Sequence, residues 1–203
     1  MSDTRKKEII MATLELAANK GLGNVSMNMI ADKVGMKKPS LYNHFASKEE
    51  LVEAMYQFLR EEAKKNVNIG AIDYTIIFAG KSALEILKMM VGGYFNMNQQ
   101  EHMMNFYKVI YSERSLNPMA AKIVAEETDK MIIATKQLFY AMEIHKLLHF
   151  TNPDMSAVSF AMTIHGLMDY ELDLRSGGCK TENQERNDLD EYLQWFCKEN
   201  AAK

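Results

Sequence analysis

The stretch VSMNMIADKVGMKKPSLYNHFASK, residues 25–48, constrains this chain more than any other. It predicts a short helix, a glycine turn, a second short helix and the start of a third. Met27, Ile30, Ala31 and Val34 recur at spacings of three and four, which puts them on one helical face. Ser26 precedes them as a candidate N-cap, because its hydroxyl can accept from an unpaired backbone N–H. Gly35 stops the helix, since it takes the left-handed conformation without a steric penalty. Pro39 fits the first turn of the next helix, where its missing N–H is no loss. There Leu41 and Phe45, four apart, point inward together. Lys38, Ser40, Tyr42, Asn43 and His44 are left on the other sides. Two short helices around a glycine turn, the second with a polar face, is the helix-turn-helix plan of DNA readers.

Charge separates this reading from that of an ordinary helical hairpin. Within residues 26–48 the bases are Lys33, Lys37, Lys38 and Lys48, against the single acid Asp32. The whole chain carries 24 Lys+Arg against 27 Asp+Glu, so a local basic excess sits inside an acidic protein. Phosphate binding needs such an excess, and solubility alone does not produce it.

Gly21, Ser26, Ile30-Ala31, Gly35, Leu41-Tyr42, His44-Phe45 and Ser47-Lys48-Glu49-Glu50-Leu51 together resemble the TetR family of bacterial transcriptional regulators. The resemblance covers roughly the first quarter of the chain. Its Lys-Pro-Ser-Leu-Tyr run, with Pro39 opening the recognition helix, is most similar to the tetracycline-repressor side of that family. Leu22 stands where an aromatic is often found. The resemblance implies an all-α fold: an N-terminal three-helix helix-turn-helix domain, residues 1–46, and a C-terminal helical bundle for ligand binding and dimerisation, residues 47–203. A helix over 47–66 would link the two. It also implies a homodimer, a palindromic operator in double-stranded DNA and a small-molecule effector. Lys37, Lys38, Ser40 and Asn43 are then placed to reach base edges. Ser26, Tyr42, His44 and Lys48 would hold phosphates, as their counterparts do in similar proteins.

Composition agrees with an all-helical reading: 3 Pro and 10 Gly in 203 residues, with few alternating β-branched runs. No apolar run approaches the ~18 residues that cross a bilayer, and no signal peptide is legible, so a cytoplasmic protein without membrane attachment is expected. Cys179 and Cys197 are not in a metal or redox spacing and read as ordinary thiols, with a redox switch between them as the sharper alternative.

Periodicity and caps give the remaining helices. The first spans 4–20, with Arg5, Lys6 and Lys7 at its start as either a solvated terminus or a basic arm beside DNA. Ser47 and Glu50 form a capping box that opens the linking helix. After a connector at 67–73, helices are expected over 74–96, weakened at Gly92-Gly93, and over 98–114, 117–142, 152–176 and 184–198. Residues 143–151 stay ambiguous between helix tail and extended link.

Eleven of the 17 methionines lie between Val67 and Ser176. Met suits a pocket for varied apolar ligands, although at helical spacing it is commonly core. Phe78, Met90, Phe106, Tyr107, Met131, Phe139, Met142 and His165 are the candidate wall. Val158, Met162, His165, Leu172, Leu189, Leu193 and Phe196 form a stripe wider than one subunit covers, which suggests a four-helix dimer interface. His145 and His149 would share a face if helical, but no third metal ligand is spaced to join them. No cofactor is called for. No nucleophile elbow, phosphate loop or dinucleotide fingerprint supports an enzyme. A DNA-binding architectural protein whose body docks another protein remains the alternative to a ligand-responsive repressor.

Overall fold

The computed structural model describes residues 2–66, 73–98, 101–178 and 187–202. Among them lie ten α-helices: α1 Ser2–Lys20, α2 Met27–Lys33, α3 Lys38–Tyr42, α4 Lys48–Asn66, α5 Tyr74–Phe78, α6 Ala83–Asn98, α7 Glu101–Glu113, α8 Pro118–Ile144, α9 Pro153–Ser176 and α10 Asp188–Glu199. The expected all-α class is observed. One isolated antiparallel bridge, Leu148 to Ala201, is the only β pairing among the described residues.

The chain packs as two compact units, one from residues 1–70 and 96–126, the other from 71–95 and 127–203. In the first, α1 packs against α2, α4 and α7. Ile9, Leu14, Ile30, Leu41, Leu51, Met55, Leu59 and Ile110 are fully buried between these helices. The head formed by α1–α3 therefore shares one core with α4 and α7.

The second unit centres on Phe139. Its ring stacks on Phe150 at 4.5 Å and 11°, meets Phe160 edge-on at 5.3 Å and lies 5.5 Å from Phe196. Aromatic pairs at such separations add to the apolar area that they bury.

Two expectations are corrected and one ambiguity is resolved. The predicted helix over 74–96 is broken: α5 ends at Phe78, Gly80 takes φ 69°, and α6 begins at Ala83. Ser82 and Glu85 make a capping box at the break. The Ser82 hydroxyl accepts from the Glu85 N–H at 3.3 Å, and the Glu85 carboxylate accepts from the Ser82 N–H at 2.7 Å. Gly92 and Gly93, expected to weaken the helix, lie inside α6. The ambiguous 143–151 segment divides: α8 ends at Ile144, and beyond the turn Leu148 bridges Ala201. Lys146, at φ 56°, closes α8: its own N–H donates to the Glu143 carbonyl, and that of Leu147 to the Met142 carbonyl. His145 and His149 consequently do not share a helical face, and no metal-holding cluster of three ligands exists among the described residues. The connector at 67–72, the start of the last predicted helix at 184–186 and Cys179 lie outside the described residues.

Candidate nucleic-acid interface

The reading head is built from local rules. Ser26 is extended, at φ −112° and ψ 157°, and its hydroxyl accepts from the Met29 N–H at 3.3 Å, opening α2. The helix closes in a Schellman turn. The Met36 N–H reaches back to the Ala31 carbonyl at 2.9 Å and the Gly35 N–H to the Asp32 carbonyl at 3.2 Å. Gly35 sits at φ 64°, the conformation this turn requires. Lys37 is the extended N-cap of α3, and Pro39 lies in its first turn. Although α3 ends at Tyr42, Asn43 keeps helical angles, and the N–H groups of His44 and Phe45 still donate to the Leu41 carbonyl.

Burial divides α3 by face. Leu41 and Phe45 are buried in the first unit's core. Lys37, Lys38, Pro39, Ser40, Tyr42 and Asn43 are exposed, as is Ser26, and His44 and Lys48 are half-buried. The ammonium groups of Lys37 and Lys38 make no hydrogen bond or ion pair among the described residues. They can therefore turn to an incoming anion without breaking an internal contact.

Five other bases near the head are engaged. Lys48 donates to the Leu22 carbonyl at 2.7 Å. Lys33 pairs with Glu15 at 2.7 Å. Arg5 pairs with Glu8 and donates to the Val34 carbonyl at 3.3 Å. Lys6 lies over the Phe45 ring and Lys7 over the Phe58 ring. Counting charges along the sequence does not find the pair of Lys33 with Glu15, because the two are 18 residues apart with no local signal between them.

At the start of α4 the Ser47 hydroxyl accepts from the Glu50 N–H at 3.1 Å, while the Glu50 carboxylate accepts from the Ala46 N–H at 2.6 Å. The Glu49 carboxyl is held below the usual carboxylate range, first by a backbone N–H at this helix start and then by the Ser47 hydroxyl.

The candidate effector wall is divided between the units. Phe106 is buried in the first unit's core, with Tyr107 packed beside it. Phe78, Phe139 and Met142 are buried in the second unit's core, with Met90 packed against it. Met131 and His165 are half-buried, and His165 faces Asp169 at 3.8 Å. A cleft of about 630 Å³ in the first unit, lined by residues of α1, α2 and α7 together with Val34, has none of the candidates on its wall.

The candidate dimer stripe also divides. Leu193 and Phe196 are 2% and 5% exposed and turn into their own unit's core. Val158 and Leu189 are half-buried, while Met162 and Leu172 are exposed. Two exposed residues of this surface escaped the sequence reading: Met155 on α9 and Trp195 on α10, 59% and 55% exposed. Trp195 is the chain's single tryptophan, one position beside the inward stripe, and exposure of so large an apolar ring was the signal to weigh.

A three-helix head with a capped helix, a Schellman turn and an open polar face on its third helix defines a helix-turn-helix protein. Over its head the chain is similar to the TetR family. Residues 9–55 match the family described as bacterial regulatory proteins, tetR family. The chain is 40% identical over 55 residues to the HTH-type transcriptional activator FasR of Mycolicibacterium smegmatis, covering 27% of this chain and 25% of that one. It is 32% identical over 65 residues to the nucleoid occlusion factor SlmA of Vibrio cholerae, covering 32% and 33%. These matches thus span a quarter to a third of the relatives' lengths. Over the whole chain the fold is similar to a putative transcriptional regulator from Saccharomonospora viridis in complex with choline, with TM-score 0.70, 17% identity and 99% of each chain covered. Among the described residues no helix is long and apolar enough to cross a membrane.

Proposed function

We propose that this chain is a homodimeric transcriptional regulator that binds an operator in duplex DNA through α3 and releases it when a small, largely apolar effector enters the C-terminal helices. The observation that carries the reading is the division of α3, with Leu41 and Phe45 buried and Lys37, Lys38, Ser40, Tyr42 and Asn43 exposed. Lysine suits the O6/N7 edge of guanine and asparagine the N6/N7 edge of adenine, so Lys37, Lys38 and Asn43 supply base readout, with Ser40 beside them. Ser26, Tyr42, His44 and Lys48 supply phosphate contacts that fix register without reading sequence.

A recognition helix of five residues covers few base pairs, so two heads related by a two-fold axis are needed to read two half-sites. Met155, Met162 and Leu172 of α9 with Trp195 of α10 are the apolar surface for that pairing. Half-buried Met90, Met131 and His165 are the effector contacts we favour, since Phe139 and Met142 are already filled in by neighbours. An effector coupled by about 1–3 kcal/mol shifts occupancy roughly 5- to 150-fold, enough to switch a promoter.

The test is binding of the purified chain to the DNA upstream of its own gene across a salt series, with and without a panel of small apolar compounds. Tight binding to a roughly palindromic site, falling steeply with salt, supports the reading. Binding no tighter than to random duplex, with or without the compounds, overturns it. A thermal shift with those compounds supports an effector. Its absence across the panel, together with intact operator binding, favours a body that docks a protein.

A further inference from the structure

Arg5 and Lys33 are bases of the head that are already engaged, and both reach the same place. The Val34 carbonyl at the end of α2 has no helical partner to accept from, and the Arg5 guanidinium donates to it at 3.3 Å from α1. One residue earlier, Lys33 crosses to Glu15 of α1 at 2.7 Å. Arg5 is itself paired with Glu8, one turn along α1. These contacts fall on Lys33, the last residue of α2, and on Val34, its C-cap, immediately before Gly35 and Met36 make the turn leading into α3.

We propose that Arg5 and Lys33 are positioning residues that strap the end of α2 to α1 and so fix the angle at which α3 is presented, rather than ligands of DNA phosphate. The inference rests on the DNA-binding reading of α3. A helix pair joined by the four residues 34–37 pivots at that turn, and its apolar faces alone leave small rotations unopposed. Two polar straps at the end of α2 oppose them. The strap acts on specificity: a head presented at the wrong angle still meets the charged backbone, but its side chains miss the base edges.

The two roles predict opposite signs at Glu15. If Lys33 binds phosphate, Glu15→Ala removes a competing acid and tightens DNA binding. If Lys33 positions the head, Glu15→Ala and Lys33→Ala both weaken operator binding, by about 1.5- to 5-fold for an ion pair as exposed as this one. Neither then changes the affinity for random duplex or the salt slope, because no phosphate contact is lost. The swapped variant Glu15→Lys/Lys33→Glu restores operator binding by rebuilding the pair with its ends reversed. Arg5→Gln behaves as Lys33→Ala does. Lys48→Ala, at a residue assigned to phosphate, is the control, and it should lower the salt slope by about one contact.

The experiment is a salt series of operator and random-duplex binding for these variants, with amide exchange of Gly35 and Met36 measured on the same proteins without DNA. Matched losses in Glu15→Ala and Lys33→Ala, an unchanged slope, rescue by the swap and faster exchange in the single variants are the expected results. Tighter binding by Glu15→Ala, or a swap no better than Lys33→Ala, overturns the strap. If the unaltered protein binds no duplex, the DNA reading itself fails. Amide exchange then decides the strap alone: exchange unchanged in both single variants refutes it.

Discussion

The Lys48 ammonium, at the first position of α4, donates to the carbonyl of Leu22, 26 residues earlier, at 2.7 Å. It ties the start of the linking helix to the short 3-10 turn, Leu22–Asn24, that follows α1. A half-buried charge-assisted bond of this kind contributes on the order of 1–2 kcal/mol. Lys48→Ala should therefore lower the urea midpoint at unchanged slope, and weaken DNA binding as well, since the ammonium has further N–H donors for a phosphate. A variant that loses DNA affinity with no change in midpoint would show the Leu22 contact to be idle.

Gly35 holds φ 64° with the Schellman bonds of α2 on either side, and a Cβ built there meets nothing within 4 Å. The cost of Gly35→Ala is thus torsional, about 1–2 kcal/mol. Chemical denaturation should show that loss. Gly93, inside α6 and equally unobstructed, makes the contrast: Gly93→Ala should stabilise by about 0.5–1 kcal/mol, because a helix interior favours alanine.

Tyr56 is 1% exposed, and its hydroxyl has no hydrogen-bond partner among the described residues. Burial, and secondarily the carboxylate of Glu113, push its pKa up from 10 to about 12. The folded state therefore holds the proton more tightly than the unfolded chain. Below pH 10 both states are protonated and nothing is lost. Between pH 10 and about 12 the unfolded chain ionises first, so stability falls by an amount on the order of 2 kcal/mol. Tyr56→Phe removes this alkaline limb. At pH 7 it should be neutral to slightly stabilising, because a buried unpaired hydroxyl is deleted along with its desolvation penalty. Stability curves at pH 7 and pH 11 check both arms, and a loss above 1 kcal/mol at pH 7 would show that the hydroxyl is satisfied.

What the sequence made legible follows from the range of the forces involved. The head was readable because its instructions are local: Ser26 to Met29, Gly35 to Asp32, and Leu41 with Phe45 on one face. The break between α5 and α6 is equally local, written in Gly80 and in Ser82 with Glu85, but the apolar period from Ile77 to Val91 runs across it and masks the cap. The end of α8 was obscure because Lys146 occupies a left-handed position where glycine is the usual signal. Helix rotation in the second unit was beyond reach. Leu193 and Phe196 share a stripe with Leu189, and only the aromatic cluster around Phe139 decides that the stripe faces inward. The pairing of Lys33 with Glu15 depends on tertiary approach, so no spacing rule finds it.

Trp195 gives the dimer proposal its own probe. It is the single tryptophan and 55% exposed on α10, with Met155 and Met162 exposed on α9. A large aromatic left in water costs apolar hydration that a partner surface recovers, and such residues dominate the energy of protein interfaces. If α9 and α10 pair with a second copy, Trp195 emission should be blue-shifted at micromolar concentration and move to the red on dilution as the copies part. Trp195→Glu should give a monomer by sedimentation, with helical content unchanged, because the ring lies outside the core that holds Leu193 and Phe196. The monomer should keep its affinity for a single half-site and lose most of its affinity for the full operator, since it can no longer bind the two halves at once. Emission that stays red at every concentration, with Trp195→Glu still dimeric, would move the interface away from α10.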